Sequence, residues 1–492
     1  MPTAIFWRKS LNYSSLINDY ITKLFKPLPI KIVMSDPKRL QDLVQKISTE
    51  YFIDQSELRV DGAKPIEAWN TTLLLLNYLF KDNILILGEP GFGKTTAAKI
   101  VSTACTGLPF DLYETAQLQG HPEQTKEELI ARPDYAKLKD EEKVIWQLGV
   151  LLPSIIIDEF NRLPQGKQSV LLNAMATGRF NYLNDTIYQG KTPFFATANH
   201  PDDGNHIIIP PMADRFASCI EASYVGPGRR QYIGDAQGRI LEDLCDPKLV
   251  EQALNELNSK KHTAQAFQKW ILEESKGFRE KLSKKGLFVP DTKSLAEQIR
   301  AVQLSPEAKI FCDSLEAELN YNGKKGPKRS NETIPENDNH MGEIASSKVK
   351  SAVSPRAFGP IEAYAQAIAY LTGAKQVEKR HIAAVAPYIL SHRLNFTDDF
   401  RAAHEEDDRC TNIWYNAPSE NLFLAMKLVE GVDANYVRAV KPHSDLLLAF
   451  YEHPEQLSKS QKEEASKLVG NAHSLDNPLI RSLAHDIKKF RA

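Results

Sequence analysis

The sequence ILILGEPGFGKTT, residues 84–96, decides the fold of this chain. Four apolar residues of strand length are followed by a glycine-rich turn and then by an alanine-rich run of helical composition. The turn has the spacing glycine, four residues, glycine-lysine-threonine, which is typical of a loop that binds phosphates. Because this spacing lies between a strand pattern and a helix pattern, the sequence predicts a phosphate-binding loop rather than an accidental glycine turn.

Such a loop needs glycine because its backbone curls closely around phosphate oxygens, with amide groups pointing inward and a helix beginning behind them. Lys94 is predicted to reach the β- and γ-phosphates, and the Thr95 hydroxyl is predicted to ligate Mg²⁺. The predicted nucleotide-binding residues are consecutive, namely Gly88, Glu89, Pro90, Gly91, Phe92, Gly93, Lys94, Thr95 and Thr96.

A second apolar run, residues 154–157, ends in the carboxylates Asp158 and Glu159. Ligands of α/β proteins bind at the carboxyl ends of parallel strands, so these acids are expected beside the phosphate loop. Asp158 is predicted to hold Mg²⁺ directly or through water, and Glu159 to polarise the attacking water as general base. A third apolar run, residues 192–199, delivers Asn199 to the same edge, where its amide can hold the attacking water.

The composition is that of an ordinary folded protein without a strong overall charge. The chain has 492 residues, which is enough for about three domains, and a formal net charge of −2. This charge does not indicate nucleic acid or an anionic membrane as a partner. Five scattered cysteines predict free thiols in a reducing compartment. We find no secretory signal and no apolar run of membrane-spanning length, so we expect a cytoplasmic protein.

Periodicity predicts several further elements. Residues 37–51 have helical spacing, although no chemical role is assigned to this region. Residues 110–147 are polar and are expected on the surface. Residues 164–177 predict an amphipathic helix, and residues 180–188 predict a β-hairpin with an acidic tip at Asn184-Asp185.

Taken together, four motifs resemble those of AAA+ ATPases. They follow in order as GEPGFGKT at 88–95, IIIDEFNR at 155–162, ATAN at 196–199 and ADRF at 213–216. More narrowly, the helix and hairpin that precede ATAN are similar to those of the MoxR family, and SPRA at 354–357 resembles the signature that opens the family's lid helix. The resemblance covers about residues 66–396. It implies an α/β fold, with an AAA+ P-loop NTPase core on a parallel sheet and a helical lid domain.

The resemblance also implies residue roles. Asn199 resembles sensor 1, and Arg356 resembles sensor 2, which contacts the γ-phosphate of its own subunit. Arg215 is similar to the arginine finger that completes a neighbour's site, with Arg162 as a rival for this role and an ion pair between Arg215 and Asp214 as the structural alternative. Arg356 has independent support, because Ser354-Pro355 before it is a good helix start and an apolar stripe follows it.

We expect four regions along the chain. Residues 1–60 form a mainly helical segment, and residues 61–228 form the nucleotide-binding core. Residues 229–394 form the lid, with a mobile linker at about 322–350 that is nearly free of large apolar residues. Residues 395–492 lie outside the resemblance and are predicted to form a C-terminal helical extension.

The resemblance implies an ATP hydrolase that uses ATP and Mg²⁺ and assembles as a homo-oligomeric, hexameric ring. It further implies a chaperone-like role on a protein client, often with a partner that carries a von Willebrand factor A domain. Two alternatives stay open. A nucleic-acid motor is disfavoured by the acidic hairpin tip, which would repel phosphates. A nucleotide-dependent scaffold without turnover is disfavoured by Glu159. The cluster His200, Asp202, Asp203 and His206 is interpreted as a polar loop rather than a zinc site, because its spacing is not that of zinc ligands.

Overall fold

A computed structural model gives the fold of the chain. The structure describes residues 37–123, 125–133, 144–183, 185–199, 208–222, 224–259, 263–322, 326–328, 344–407, 409, 418–472 and 475–491. Asn184 of the predicted hairpin tip and the cluster formed by His200, Asp202, Asp203 and His206 therefore lie outside the described residues.

Most described strands belong to one parallel sheet or to short antiparallel ribbons. In chain order they are β1 (Glu57–Leu58), β2 (Ile66–Glu67), β3 (Asn83–Leu87), β4 (Leu118–Gln119), β5 (Ala131–Pro133), β6 (Val144–Trp146), β7 (Ile155–Asp158), β8 (Arg179–Tyr182), β9 (Asp185–Tyr188), β10 (Phe194–Ala198), β11 (Ser218–Glu221), β12 (Tyr321–Asn322) and β13 (Gly326–Pro327). The sheet has five parallel strands in the order β11-β3-β10-β7-β4. Its inner strands are buried along nearly their whole length, which explains why they read as continuous apolar runs.

Helices cover the sheet and build the second half of the chain. They are α1 (Pro37–Lys46), α2 (Trp69–Phe80), α3 (Lys94–Thr106), α4 (Phe110–Ala116), α5 (Lys126–Leu129), α6 (Gln165–Thr177), α7 (Pro210–Ala213), α8 (Arg230–Leu244), α9 (Pro247–Ser259), α10 (Ala264–Glu274), α11 (Lys276–Lys284), α12 (Thr292–Arg300), α13 (Pro306–Asn320), α14 (Ala345–Lys348), α15 (Phe358–Leu371), α16 (Lys379–Leu390), α17 (Asp398–Ala402), α18 (Glu420–Asn435), α19 (Ser444–Glu452), α20 (Lys459–Gly470) and α21 (Pro478–Arg491). A π-helical turn, Ile47–Tyr51, extends α1. The predicted α/β class is confirmed by this order of elements.

The apolar runs that predicted strands all occur in the central sheet. The runs at residues 84–87, 154–157 and 192–199 form β3, β7 and β10, and the predicted hairpin forms β8 and β9. Parallel pairing aligns Ala196 with Leu85 on one side and with Ile157 on the other. Consequently, the carboxyl ends of these three strands meet at one edge of the sheet.

The expectation that residues 110–147 lie on the surface is wrong for the first part of that segment. Phe110, Leu112 and Tyr113 of α4 are buried. Leu118 is also buried and pairs with Ile157, so β4 is the fifth strand of the sheet. A two-residue strand with a polar second residue is too short to produce a periodic pattern, and tertiary pairing alone creates it.

The helices after the core pack together around a buried carboxylate. Glu318 of α13 accepts hydrogen bonds from Asn435 of α18 at 3.1 Å and from Asn477, just before α21, at 3.3 Å. The C-terminal helices are thus joined to the lid through polar contacts in its interior. The described ends of the predicted linker are packed as well, since Lys328 and Val349 are buried. The boundaries of the four regions stay a prediction.

Among the described residues, no helix combines the length and the apolar composition that a membrane span requires.

Candidate nucleotide-binding site

The glycine-rich loop lies between β3 and α3, at the carboxyl edge of the sheet. Gly88, Gly91 and Gly93 have φ angles of 144°, 82° and 74°, which side chains other than glycine rarely adopt. At Gly93 space is also limiting, because an added Cβ would lie 2.7 Å from the Phe52 ring. The first amides of α3 have no acceptor within their own helix, so they are available to an anion held by the loop.

Lys94 opens α3 and is buried within this loop. Its ammonium donates to the carbonyl oxygens of Gly88 at 2.6 Å and Glu89 at 3.0 Å, and to Oδ1 of Asn199 at 2.8 Å. Burial lowers the pKa of Lys94, while the charges of Asp158, Glu89 and Glu159 act in the opposite direction. The predicted phosphate-binding lysine and the predicted sensor 1 residue are therefore in direct contact.

Two oxygen ligands suited to Mg²⁺ lie beside the lysine. The Thr95 hydroxyl donates to Oδ1 of Asp158 at 2.7 Å, and the Thr197 hydroxyl donates to the same oxygen at 2.5 Å. Hydroxyl and carboxylate oxygens are hard donors, which Mg²⁺ prefers over nitrogen or sulfur. Thr95 and Asp158 therefore fit the ion that a bound nucleotide would bring.

Glu159 follows Asp158 in an unusual backbone conformation. Its φ angle is +50°, a left-handed value that is costly for a residue with a side chain. Its amide donates to the Thr197 hydroxyl at 3.1 Å. Its carboxylate accepts a hydrogen bond from Gln119 at 3.0 Å and lies 3.3 Å from Arg162. Arg162 is thus engaged with the predicted general base of its own chain.

The contacts of Gln119, Gly120 and Thr197 were not predicted from the sequence. Gly120 donates to the Asp158 carbonyl at 2.7 Å, and a Cβ at this position would lie only 2.1 Å from the Glu159 carbonyl oxygen. The sole signal in the sequence was a glutamine-glycine pair after the apolar residue Leu118. Its meaning depends on β4 pairing with β7, which is a tertiary feature.

The segment after the first helix borders the loop, although we expected no chemical role for this region. Phe52 and Ile53 line a cleft next to Lys94, together with Asn70 and Ala97. Polar and apolar residues both line this small cleft, so the segment after α1 contributes to the surroundings of the phosphate loop.

Arg215 lies at the opposite edge of the sheet. Its carbonyl oxygen accepts a hydrogen bond from the Asn83 side chain at 3.0 Å, and the Asn83 carbonyl accepts from Ala217 at 2.7 Å. Asn83 is the first residue of the five-residue strand β3, whereas the phosphate loop follows the last. A strand of this length spans roughly 17 Å. The strand therefore separates Arg215 from the phosphate loop of its own chain.

Arg356 occupies a place that differs from the expectation. As predicted, Ser354 caps the start of its helix, accepting from the Arg356 amide at 3.3 Å. Its guanidinium, however, donates to the carboxylate of Asp214 at 3.2 Å, immediately next to Arg215. In this arrangement the Arg356 guanidinium lies near the amino edge of the sheet, away from the phosphate loop of its own subunit, where the expected contact with the γ-phosphate would be made. The Tyr364 hydroxyl of α15 donates a hydrogen bond to Asp82, which lies just before β3.

Two family models match parts of the chain. Residues 83–216 match the family model of the AAA domain, dynein-related subfamily, and residues 341–413 match that of the AAA lid domain. A solved structure of a candidate ATPase from Cytophaga hutchinsonii is similar at 16% identity, with a TM-score of 0.49 and coverage of 80% of this chain and 94% of that chain. No curated protein matches the chain.

Proposed function

Because this chain carries an AAA domain of the dynein-related subfamily and an AAA lid domain, as its motifs predicted, we propose that it is a MoxR-type ATP hydrolase that works as a ring. In this proposal the ring has six subunits and acts, like a chaperone, on a protein client. A partner with a von Willebrand factor A domain is part of the same proposal, by family analogy. The observation that carries the proposal is the placement of the phosphate loop and of two arginines at opposite edges of one sheet.

The carboxyl edge of the sheet supports binding and hydrolysis of ATP. Lys94 would neutralise charge on the β- and γ-phosphates, and Thr95 and Asp158 would hold Mg²⁺, which draws charge from the phosphate oxygens. Asn199 would place the attacking water, and Glu159 would accept its proton.

Glu159 is placed by contacts within its own chain. Its carboxylate is engaged with Gln119 and Arg162, and because a carboxylate has about four acceptor sites, further sites stay open to the attacking water. The left-handed backbone of Glu159 keeps the side chain at the carboxyl end of β7, the edge that carries the phosphate loop.

The amino edge supports catalysis in trans. Arg215 and Arg356 are separated from the loop of their own chain but lie side by side. In a ring, this edge would face the phosphate loop of the next subunit, where both guanidiniums could stabilise charge on the transferred phosphoryl group. Such an arginine is worth about 10³–10⁵ in rate in other nucleotide hydrolases.

The hairpin favours a protein client over nucleic acid. Leu183 and Tyr188 are exposed, at 57% and 41%, and Asp185 lies between them. Arg179 is positioned over the Tyr188 ring, 5.5 Å from its centre, and is thus partly engaged. Apolar and acidic groups suit a polypeptide and repel a phosphate backbone.

The experiment that tests the shared site is the mixing of two inactive variants. Arg215→Ala should bind ATP normally yet lose hydrolysis by about 10³-fold, because its neighbours lack the finger. Glu159→Gln should also bind without turnover. Mixed rings should regain phosphate release, since a Glu159→Gln subunit still offers Arg215 to an intact neighbouring site.

A matched control is Glu273→Gln, which changes an exposed glutamate paired with Lys269 and should leave turnover unchanged. Absence of activity in the mixture would contradict the trans assignment. If the wild type released phosphate no faster than Glu159→Gln, the result would support a nucleotide-dependent scaffold without turnover. Stimulation of the ATPase by DNA in a salt-dependent manner would favour the nucleic-acid motor.

A further inference from the structure

Three arginine side chains form ion pairs with the carboxylate of Asp214. Its Oδ2 accepts a hydrogen bond from Arg356 at 3.2 Å and lies 3.8 Å from Nη1 of Arg215. Its Oδ1 lies 3.7 Å from Nε of Arg393. The three guanidiniums belong to different segments. Arg356 precedes α15, Arg215 lies in the turn after α7, and Arg393 follows α16. A single acid thus joins the core to two parts of the lid.

Arg393 contacts the backbone of the turn at residues 214–217 from the protein interior. Its side chain is only 4% exposed, and it donates to the carbonyl oxygens of Phe216 at 2.6 Å, Ala217 at 3.3 Å and Asp214 at 3.4 Å. Burial lowers the pKa of Arg393 to about 10, and the charge of Asp214 opposes this shift. Arg393 is therefore charged at neutral pH. The neighbouring His392 adds a contact of 2.9 Å between its Nε2 and the Phe216 carbonyl oxygen. Two consecutive lid residues thus contact the backbone next to Arg215.

The other two arginines are held less completely. Nε of Arg215 is buried and has no hydrogen-bond partner among the described residues, and its nearest acid is Asp214. The Arg356 side chain is 62% exposed and is anchored at the same acid. The exposed Arg356 guanidinium therefore keeps donors that can be used elsewhere, and the 21% exposed Arg215 side chain approaches Asp214 only to 3.8 Å. A phosphate carries more negative charge than a carboxylate and can compete for these donors.

We propose that Asp214 is a positioning residue that fixes Arg215 and Arg356 at one point of the subunit surface, and that Arg393 ties this point to the lid. Any movement of the lid relative to the core would then displace both arginines relative to the neighbour's site. This inference rests on the proposed function. It adds a physical connection by which one subunit controls hydrolysis in the next.

Asp214→Asn tests the proposal, because asparagine keeps the shape of the side chain and removes its charge. We expect kcat to fall by about 10²-fold, the order of loss that follows a small misplacement of catalytic groups. The Kd for ATP should stay within about twofold, since the variant's own phosphate loop is intact. Mixing with Glu159→Gln subunits should restore hydrolysis, because those subunits present correctly held arginines.

Two further variants complete the experiment. Arg393→Lys keeps the charge but loses the planar fork that spans three carbonyl groups, so it should lower kcat in the same way and also be rescued in mixed rings. Asp398→Asn removes an exposed aspartate paired with Lys350 at 3.0 Å and serves as the matched control, with unchanged kcat.

Wild-type kcat in Asp214→Asn would overturn the proposal while leaving the shared site intact. A loss of activity that Glu159→Gln subunits do not rescue would also overturn it, because the defect would then lie in the variant's own site. Loss of folding or assembly in Asp214→Asn would contradict it too, since Asp214 would then have a general structural role. Failure of the proposed function is recognised separately, by full activity in Arg215→Ala.

Discussion

Close packing around Glu159 shows how single residues shape the site. The backbone turns left-handed at this residue, directly after β7. Gly120 on the neighbouring strand makes this turn possible, since any side chain there would collide with the Glu159 carbonyl oxygen. Gln119, one residue earlier, holds the carboxylate itself. The edge strand β4 therefore contributes both space and a polar contact to the predicted base.

Gly120→Ala should therefore impair hydrolysis without impairing binding. The added methyl group has to displace the Glu159 carbonyl from 2.1 Å, which moves the base but not the phosphate loop. We expect kcat to fall by about 10-fold to 100-fold, as misplaced catalytic groups do, with the Kd for ATP nearly unchanged. Steady-state phosphate release and nucleotide titration measure the two quantities.

Gly166→Ala is the matched control for this prediction. Gly166 lies in the first turn of α6, and a Cβ there would meet no atom within 4 Å. Equal kcat values for Gly120→Ala and Gly166→Ala would show that the close approach of β4 to Glu159 has no part in hydrolysis.

Among the elements, α13 makes the lid and the C-terminal helices interdependent. Glu318 near its end is fully buried and accepts hydrogen bonds from Asn435, Asn477 and the amide of Ala345. Burial raises its pKa from 4.5 to about 7, although these hydrogen bonds and the charges of Lys348 and Arg438 act to lower it. The folded state therefore binds a proton at Glu318 more tightly than the unfolded chain does.

This shift predicts a pH dependence of stability. The contribution of protonated Glu318 is fully present below the unfolded pKa of 4.5 and is lost as the pH rises to about 7. The loss amounts to roughly 3 kcal/mol at most, from 1.36 kcal/mol per pKa unit. The difference in free energy of unfolding between wild type and Glu318→Gln should therefore change between pH 5 and pH 8, to the relative disadvantage of wild type at pH 8.

Chemical denaturation of both chains at the two pH values measures this difference. Other buried acids, such as Asp313, are present in both chains, so their contributions cancel in the comparison. A difference between wild type and Glu318→Gln that stays constant from pH 5 to pH 8 would show that Glu318 titrates normally in the fold.

At the scale of the whole molecule, the two edges of the sheet carry different functional residues. The carboxyl edge holds the phosphate loop and the acids, and the amino edge holds Arg215 and Arg356. Neither edge is a complete hydrolytic site in the proposed mechanism. In that mechanism two copies of the chain, arranged head to tail, would bring the two sets together, and such a heterologous contact closes into a ring when the rotation between neighbours divides a full turn.

Assembly should therefore depend on bound nucleotide. We expect the Glu159→Gln chain with ATP and Mg²⁺ to sediment as one large species of about six subunits, the ring size that family analogy suggests. The Lys94→Ala chain should not shift with ATP, because it lacks the ammonium that neutralises the phosphates. Sedimentation velocity over a range of protein concentrations measures this. A monomer in both variants at every concentration would contradict the ring.

The sequence by itself determined the strands β3, β7 and β10, the phosphate loop and the acids after β7, because local patterns of burial and glycine spacing specify them. It also placed Arg356 at a helix start. Only the tertiary structure decided that Gln119 meets Glu159, that Arg356 lies next to Arg215, and that Arg393 contacts the Asp214 carbonyl, 179 residues away in sequence. No local pattern encodes such contacts, since they depend on how distant segments pack and not on the periodicity of either one.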